Sequence, residues 1–271
     1  MKLKPVLKYV GGKSRELSEI KKYLPEFSGK YIEPFLGGGA LYFDLEPQSA
    51  IINDLNKPLM NFYTSIRDNY EEVVEELKSI QTICDNNTKE ESKALYYEMR
   101  KMYNHEIESS YSNAALYYYI NKMAFHGVMR CNKQGKFNVS FGGRVSFKMC
   151  ITEDHQKLLN QSEIFSTSYR DIFDITSKND FLFLDPPYDN SYSAYNNVET
   201  FSGFTKDMHR QLAQDFKNLD AKALMVIGKT DLIEELYKNN IVHEYEKKYA
   251  MHNCSKKQNS THIFVTNYKV R

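Results

Sequence analysis

The chain has 271 residues, 41% of them hydrophobic, and 36 Lys and Arg against 35 Asp and Glu leave a net charge of +1. That is enough for one generous domain, or for a core domain carrying a sizeable insertion. No apolar run reaches the length that crosses a bilayer, and Met1 to Val10 lacks a signal peptide's apolar stretch, so neither a membrane partner nor a secretory route is expected. The four cysteines, Cys84, Cys131, Cys150 and Cys254, form no C-x-x-C pair. Neither a metal site nor a disulfide framework is expected, and a reduced cytoplasm is the expected compartment.

In chain order, Tyr31 to Phe35 reads as a short buried strand that ends in Gly37-Gly38-Gly39. A helix over Ala40 to Leu45 and a strand over Ala50 to Asp54 follow. Strand, glycine turn, helix, strand is the opening of a doubly wound α/β sheet. From about Pro58 to Phe125 the spacing predicts helices, with Leu116, Tyr119, Ile120 and Met123 recurring at i, i+3, i+4 and i+7. Tyr117-Tyr118-Tyr119 is assigned to helix packing rather than base stacking. Gly135 to Phe147 is glycine-rich and alternates apolar with polar residues, which predicts a hairpin-like loop. A second α/β stretch follows: strand Phe181 to Leu184, helix Lys206 to Leu219, strand Ala223 to Ile227 and helix Asp231 to Asn239. Two strand-like runs, around Tyr245 and over Ile263 to Tyr268, close the chain as an edge hairpin around the polar loop His252 to Ser260.

Charge is unevenly distributed. Met1 to Arg15, Ser109 to Thr152 and Lys247 to Arg271 contain no acid, whereas Glu71 to Glu108 is rich in them. Any one such block is ordinary solvated surface, but three together can turn a basic face to a polyanion. The seven histidines are given no catalytic role. Only His126, in a segment that also holds Arg130, is singled out.

Two stretches carry chemistry. The glycine turn matches neither a phosphate loop nor the G-x-G-x-x-G of a dinucleotide fold. Asp54, at the end of the second strand, stands where an acid can hydrogen-bond a ribose diol. A nucleoside cofactor without a pyrophosphate fits both facts, and S-adenosyl-L-methionine is the common one; a turn that merely packs helix on strand is the competing reading. The second stretch, Asp185-Pro186-Pro187-Tyr188, directly follows a strand. Its prolines fix φ and remove two donors, leaving carbonyls and the Asp185 carboxylate as acceptors without local donors. Acceptors gripping an aromatic amino group stabilise the positive charge that develops on nitrogen as it attacks a methyl donor. Tyr188 supplies a flat face that positions the ring.

The combination resembles the Dam-type DNA adenine-N6 methyltransferases, the alpha group of the D12 class. Lys8-Tyr9-Val10-Gly11-Gly12-Lys13 is similar to the family's K-W-x-G-G-K, and Glu33-Pro34-Phe35-Leu36-Gly37-Gly38-Gly39 to its E-P-F-x-G-x-G. Asn53-Asp54 resembles its second-strand acid. Phe125 to Arg130, with Gly135-Lys136-Phe137-Asn138-Val139, resembles its N-G-x-x-R…G-x-F-N-V stretch, and Val265 to Tyr268 resembles the family's ending. Tyr9 stands for Trp, His126 for Asn and Ser140 for Pro, departures that leave the chemistry intact but put the recognition sequence in doubt.

The resemblance implies a Rossmann-like methyltransferase sheet, residues 1–57 and 163–271, with a mostly helical DNA-recognition insertion over 58–162. It implies Tyr9, Lys13, Glu33, Phe35, Gly37, Gly39, Asp54 and Asp185 around S-adenosyl-L-methionine. Asp185, Pro186, Pro187 and Tyr188 would hold a flipped adenine. Lys8 and Arg130 would read guanines, as suits either side chain. Asn132, Lys136, Asn138, Ser140 and Arg144 would also meet DNA, with Lys256 and Lys257 on phosphates. Double-stranded DNA is the implied partner, bound by a monomer, with GATC the leading site and a separately acting restriction endonuclease left open. Two rivals stand beside this reading: amino-methylation of RNA or a protein glutamine, and a DNA-binding relative without activity.

Overall fold

The computed structural model describes residues 2–189, 203–248 and 259–270. A one-turn helix α1 (Leu17–Ile20) leads into β1 (Tyr31–Glu33), α2 (Ala40–Leu45) and β2 (Ala50–Asn53). Four helices follow: α3 (Lys57–Asp68), α4 (Tyr70–Asn86), α5 (Lys89–Tyr103) and α6 (Asn113–Met123). After α7 (Glu153–Asn160) the chain rejoins the sheet as β3 (Ser162–Phe165) and continues through α8 (Tyr169–Asp174) to β4 (Phe181–Leu184). It ends with α9 (Lys206–Lys217), β5 (Lys222–Gly228), α10 (Asp231–Tyr237), β6 (Ile241–Lys248) and β7 (Asn259–Thr266).

The strands form one sheet in the order β3-β2-β1-β4-β5-β7-β6. The first five run parallel, and β7 lies antiparallel between β5 and β6. Parallel strands covered on both faces read as continuous apolar runs, and β1, β2 and β4 are buried throughout. Successive side chains feed opposite faces. Tyr31, Phe181, Phe183, Leu224 and Val226 enter a core shared with Leu59 and Tyr63 of α3, Leu116 and Ile120 of α6 and Leu158 of α7. Ile32, Leu182, Leu184, Met225 and Ile227 enter a second core with Leu212 and Phe216 of α9 and Ile233 of α10.

The helices start where side chains cap them. Asn56 Oδ1 accepts from the Leu59 N–H at 3.3 Å, Thr88 and Glu91 form a capping box, and Ser112, Thr205 and Thr230 cap α6, α9 and α10. Helix α6 is buried on every side, so Tyr117, Tyr118 and Tyr119 are packing residues. The Gly135 to Phe147 stretch forms no regular strand; isolated antiparallel bridges, Cys131 to Phe137 and Ala124 to Phe141, tie it together. The closing pair of strands does pair as a hairpin, but only β6 is at the edge, because β7 inserts beside β5. No helix among the described residues is long and apolar enough to cross a membrane.

One topological fact positions the site. Beyond β1 the order runs to β2 and β3, and beyond β4 it runs the other way to β5. Ligands of doubly wound sheets bind at this reversal, outside the carboxyl ends of the strands. Glu33 ends β1 there, and Asp185 follows β4 directly.

Candidate active site

The turn after β1 is built on two left-handed glycines, Gly37 at φ 49° and Gly39 at φ 65°. Gly37 meets a second demand: a Cβ there would lie 2.7 Å from Tyr9 Cε1, so the Tyr9 ring rests directly on the turn. The Gly37 N–H donates to Asp54 Oδ2 at 2.9 Å, and the Asn56 N–H to Asp54 Oδ1 at 2.9 Å. A carboxylate has about four lone-pair sites, so Asp54 keeps acceptor capacity for a ligand. Burial pushes its carboxyl up, and the two N–H bonds pull it back. Asn53 knits the strand ends, donating to the Pro34 carbonyl at 2.9 Å and accepting from the Thr167 N–H at 2.9 Å.

At the end of β4, Asp185 is not left without a donor. Lys13, with its side chain 3% exposed, donates to Asp185 Oδ2 at 2.5 Å and to the Gly11 carbonyl at 3.0 Å. The Tyr188 hydroxyl lies 3.4 Å from Asp185 Oδ1. The acceptor pair expected from the sequence is thus partly engaged, by a lysine from the far end of the chain. Burial pushes the Asp185 carboxyl up against the opposing pull of Lys13. Glu33, fully buried beside it, accepts from the Tyr31 hydroxyl at 2.7 Å. Burial, with the Asp185 charge adding, raises Glu33 to about 8, so it holds its proton at neutral pH.

These groups line a cavity of about 240 Å³. Tyr9, Lys13, Glu33, Phe35, Gly37, Gly39, Asp54 and the whole Asp185 to Tyr188 stretch meet there, with Lys8 at the rim. Phe35 stacks obliquely on Tyr169 at 5.5 Å and edge-on to Phe204 at 6.2 Å, giving one end an aromatic wall.

Residues 9–251 match the family model of D12 class N6 adenine-specific DNA methyltransferases. This chain belongs to that family. The type II methyltransferase M.CviBI of Paramecium bursaria Chlorella virus NC1A is 34% identical over 275 residues, covering 98% of this chain and 100% of the relative. M1.LlaDCHI, a type II methyltransferase of Lactococcus lactis subsp. cremoris, is 33% identical over 286 residues, covering 98% and 96%. The DNA adenine methylase of Haemophilus influenzae is 30% identical over 192 residues, covering 69% and 65%. The protein is therefore an adenine DNA methyltransferase, and its substrate class is DNA.

The residues expected on DNA in this methyltransferase are less uniform. Arg130, Asn138, Ser140 and Arg144 are exposed on the loop beside the cavity, whose wall includes Gly127 and Met129. Asn132 Oδ1 accepts from the Gln134 and Lys136 N–H groups at 3.0 Å each, closing its own turn. Lys136 pairs with Glu106 at 2.9 Å. The Lys8 ammonium donates to the Lys122 carbonyl at 2.6 Å; burial, with Arg144 and Lys122 nearby, lowers its pKa to about 8. Lys256 and Lys257 lie outside the described residues.

Sequence reasoning missed four features of the methyltransferase. Asn121, 1% exposed, accepts from the Lys8 N–H at 2.8 Å and donates to the Lys8 carbonyl at 2.8 Å and the Gly127 carbonyl at 3.3 Å. It splices the N-terminal segment to the loop. Phe125 is 53% exposed next to His126, a left-handed residue at φ 54°. An apolar ring so displayed can wedge into a base stack, and the F-H-G run was its only sequence signal. Glu16 is buried and paired with Lys247, which removes one lysine from the presumed basic face. His262, fully buried, lies against Tyr188.

Proposed function

We propose that this methyltransferase moves a methyl group from S-adenosyl-L-methionine to N6 of an adenine flipped out of duplex DNA. The observation that carries the reading is the convergence of the glycine turn, Asp54 and Asp185 to Tyr188 on one cavity at the sheet's switch point. The cavity suits the cofactor chemically. Asp54 and Asp185 bring carboxyl groups that suit a cationic sulfonium, Lys13 being already paired with Asp185, while Glu33 keeps its proton; Asp54 can take ribose hydroxyls, and the Phe35 to Phe204 wall can take adenine. The turn admits no Cβ at Gly37, so Tyr9 and the backbone can close on a ligand.

When bound, the cofactor supplies an electrophilic methyl group. This chain's residues do the rest. Asp185 accepts an N–H bond from the target amino group, freeing its lone pair and stabilising positive charge on nitrogen. Pro186 and Pro187 hold the backbone extended so that their carbonyls face the base, and Tyr188 stacks on it. N6 of a paired adenine cannot reach this floor, so the nucleotide must leave the helix at a cost of a few kcal/mol, which phosphate contacts offset. Residues 1–57 and 163–271 form the catalytic part and 58–162 the recognition part. Lys8 and Arg130 read guanines in a short palindrome such as GATC. The enzyme works as a cytoplasmic monomer, and the type II names of its relatives support a separate cognate restriction endonuclease.

Long-read modification mapping of a methylation-deficient bacterial host expressing the protein tests this, with Asp185→Ala as control. N6-methyladenine at one short motif, absent from the control although the variant still binds duplex, is expected. An unmodified genome despite folded protein would redirect the assignment to RNA or protein.

A further inference from the structure

Tyr188 is held from several sides. Its ring lies on the end of β5, where a Cβ at Gly228 would come 3.2 Å from Tyr188 Cδ2. Lys13 Nζ sits 5.2 Å from the ring centroid. The His262 ring meets it edge to face, with centroids 5.0 Å apart and planes at 88°. Beneath lies a chain of polar contacts. His262 Nδ1 is 3.5 Å from the Tyr188 hydroxyl and 3.3 Å from the Tyr245 hydroxyl. Tyr245 in turn donates to Glu16 Oε2, and Glu16 Oε1 pairs with Lys247.

Counting hydrogens orients the chain. Tyr245 spends its hydrogen on Glu16, and Tyr188 directs its own at Asp185. Each phenol has one hydrogen, so neither has one left for His262. With the phenol hydrogens so directed, an Nδ1–H is the form of the ring that can donate to the two phenol oxygens. We propose that His262, fixed as the Nδ1–H tautomer by Glu16 through Tyr245, is a positioning residue that holds the Tyr188 hydroxyl and so sets the ring on which the target base stacks. This rests on the function proposed above. Neutrality of the ring fits: burial, with Lys247 and Lys13 close by, holds His262 down at about 4.

Two measurements on the full-length enzyme test it. In ¹⁵N NMR of the wild-type protein, the His262 ring is expected as the Nδ1–H tautomer; an Nε2–H ring overturns the proposal without any variant being made. Single-turnover methyl transfer is then compared for wild type, His262→Leu, His262→Asn, Tyr188→Phe and the Tyr188→Phe, His262→Leu double variant, with cofactor affinity followed alongside. His262→Leu should slow transfer about tenfold at unchanged cofactor affinity, as loss of one positioning hydrogen bond would. His262→Asn, which keeps a donor near the Nδ1 position, should restore most of the rate. In the Tyr188→Phe background His262→Leu should cost nothing further. An equal loss in both backgrounds would make His262 a packing residue and overturn the inference. A wild-type enzyme that transfers no methyl to any duplex would overturn the underlying function, and the inference with it.

Discussion

Glu33→Gln removes an ionisation while keeping shape and hydrogen-bonding capacity, and its effect on stability follows from burial. The folded protein raises Glu33 from an ordinary 4.5 to about 8. Below 4.5, folded and unfolded chains both hold the proton and nothing is gained or lost. Between 4.5 and about 8 only the folded chain holds it, so the folded state binds more protons and loses stability as pH rises. Above about 8 both forms are ionised and the penalty is constant. At about 1.4 kcal/mol per pH unit the full penalty is about 5 kcal/mol, an upper figure because neighbouring groups relax. Urea unfolding of wild type and Glu33→Gln, from about pH 5 to about pH 9, isolates this contribution as the difference between two curves. The wild type should lose several kcal/mol relative to the variant across that range. A difference constant within about 1 kcal/mol, or one that grows in favour of the wild type, would refute a protonated Glu33 and the desolvated floor it implies.

Three other outcomes follow from particular contacts. Gly37→Ala places a Cβ against Tyr9 in a left-handed backbone, so S-adenosyl-L-methionine binding by calorimetry should weaken about five- to thirtyfold, for a strain of about 1–2 kcal/mol; unchanged affinity would separate the turn from the cofactor. Asn121→Ala strands the part-buried Lys8 backbone groups and should cost about 1–3 kcal/mol in urea unfolding, with a near-neutral result counting against the splice. Duplex binding should weaken steeply with salt, and Arg144→Ala should flatten that slope by about one charge. Lys136→Ala, whose ammonium already faces Glu106, should flatten it less; equal slopes would put both lysine and arginine on phosphates.

What the sequence disclosed was what is local. The glycine turn and Asp185 to Tyr188 each sit at the end of an apolar strand, and strand, turn and motif are contiguous, so periodicity and proline or glycine chemistry suffice. Helix α2 and strand β4 have the expected ends for the same reason. β3 was not anticipated because Ser162–Phe165 is a short edge strand with a mixed, half-exposed pattern. Acid-free blocks proved a weak guide to surface charge. Lys13 and Lys247 lie in such blocks yet pair with Asp185 and Glu16, acids remote in sequence. Asn121, Glu16 and His262 were illegible because each is a single ordinary residue whose partners lie on other elements.

The sheet order also has a consequence for biosynthesis. Of the seven strands described, β7 is made after the other six yet lies inside the sheet, between β5 and β6. Until residues 259–266 leave the ribosome, β5 keeps an open edge and β6 has no neighbour to pair with. His262 arrives on this same strand, after Tyr188 and Asp185 have long been synthesised. A nascent chain therefore carries both signature motifs before it has the strand that brings His262 against Tyr188.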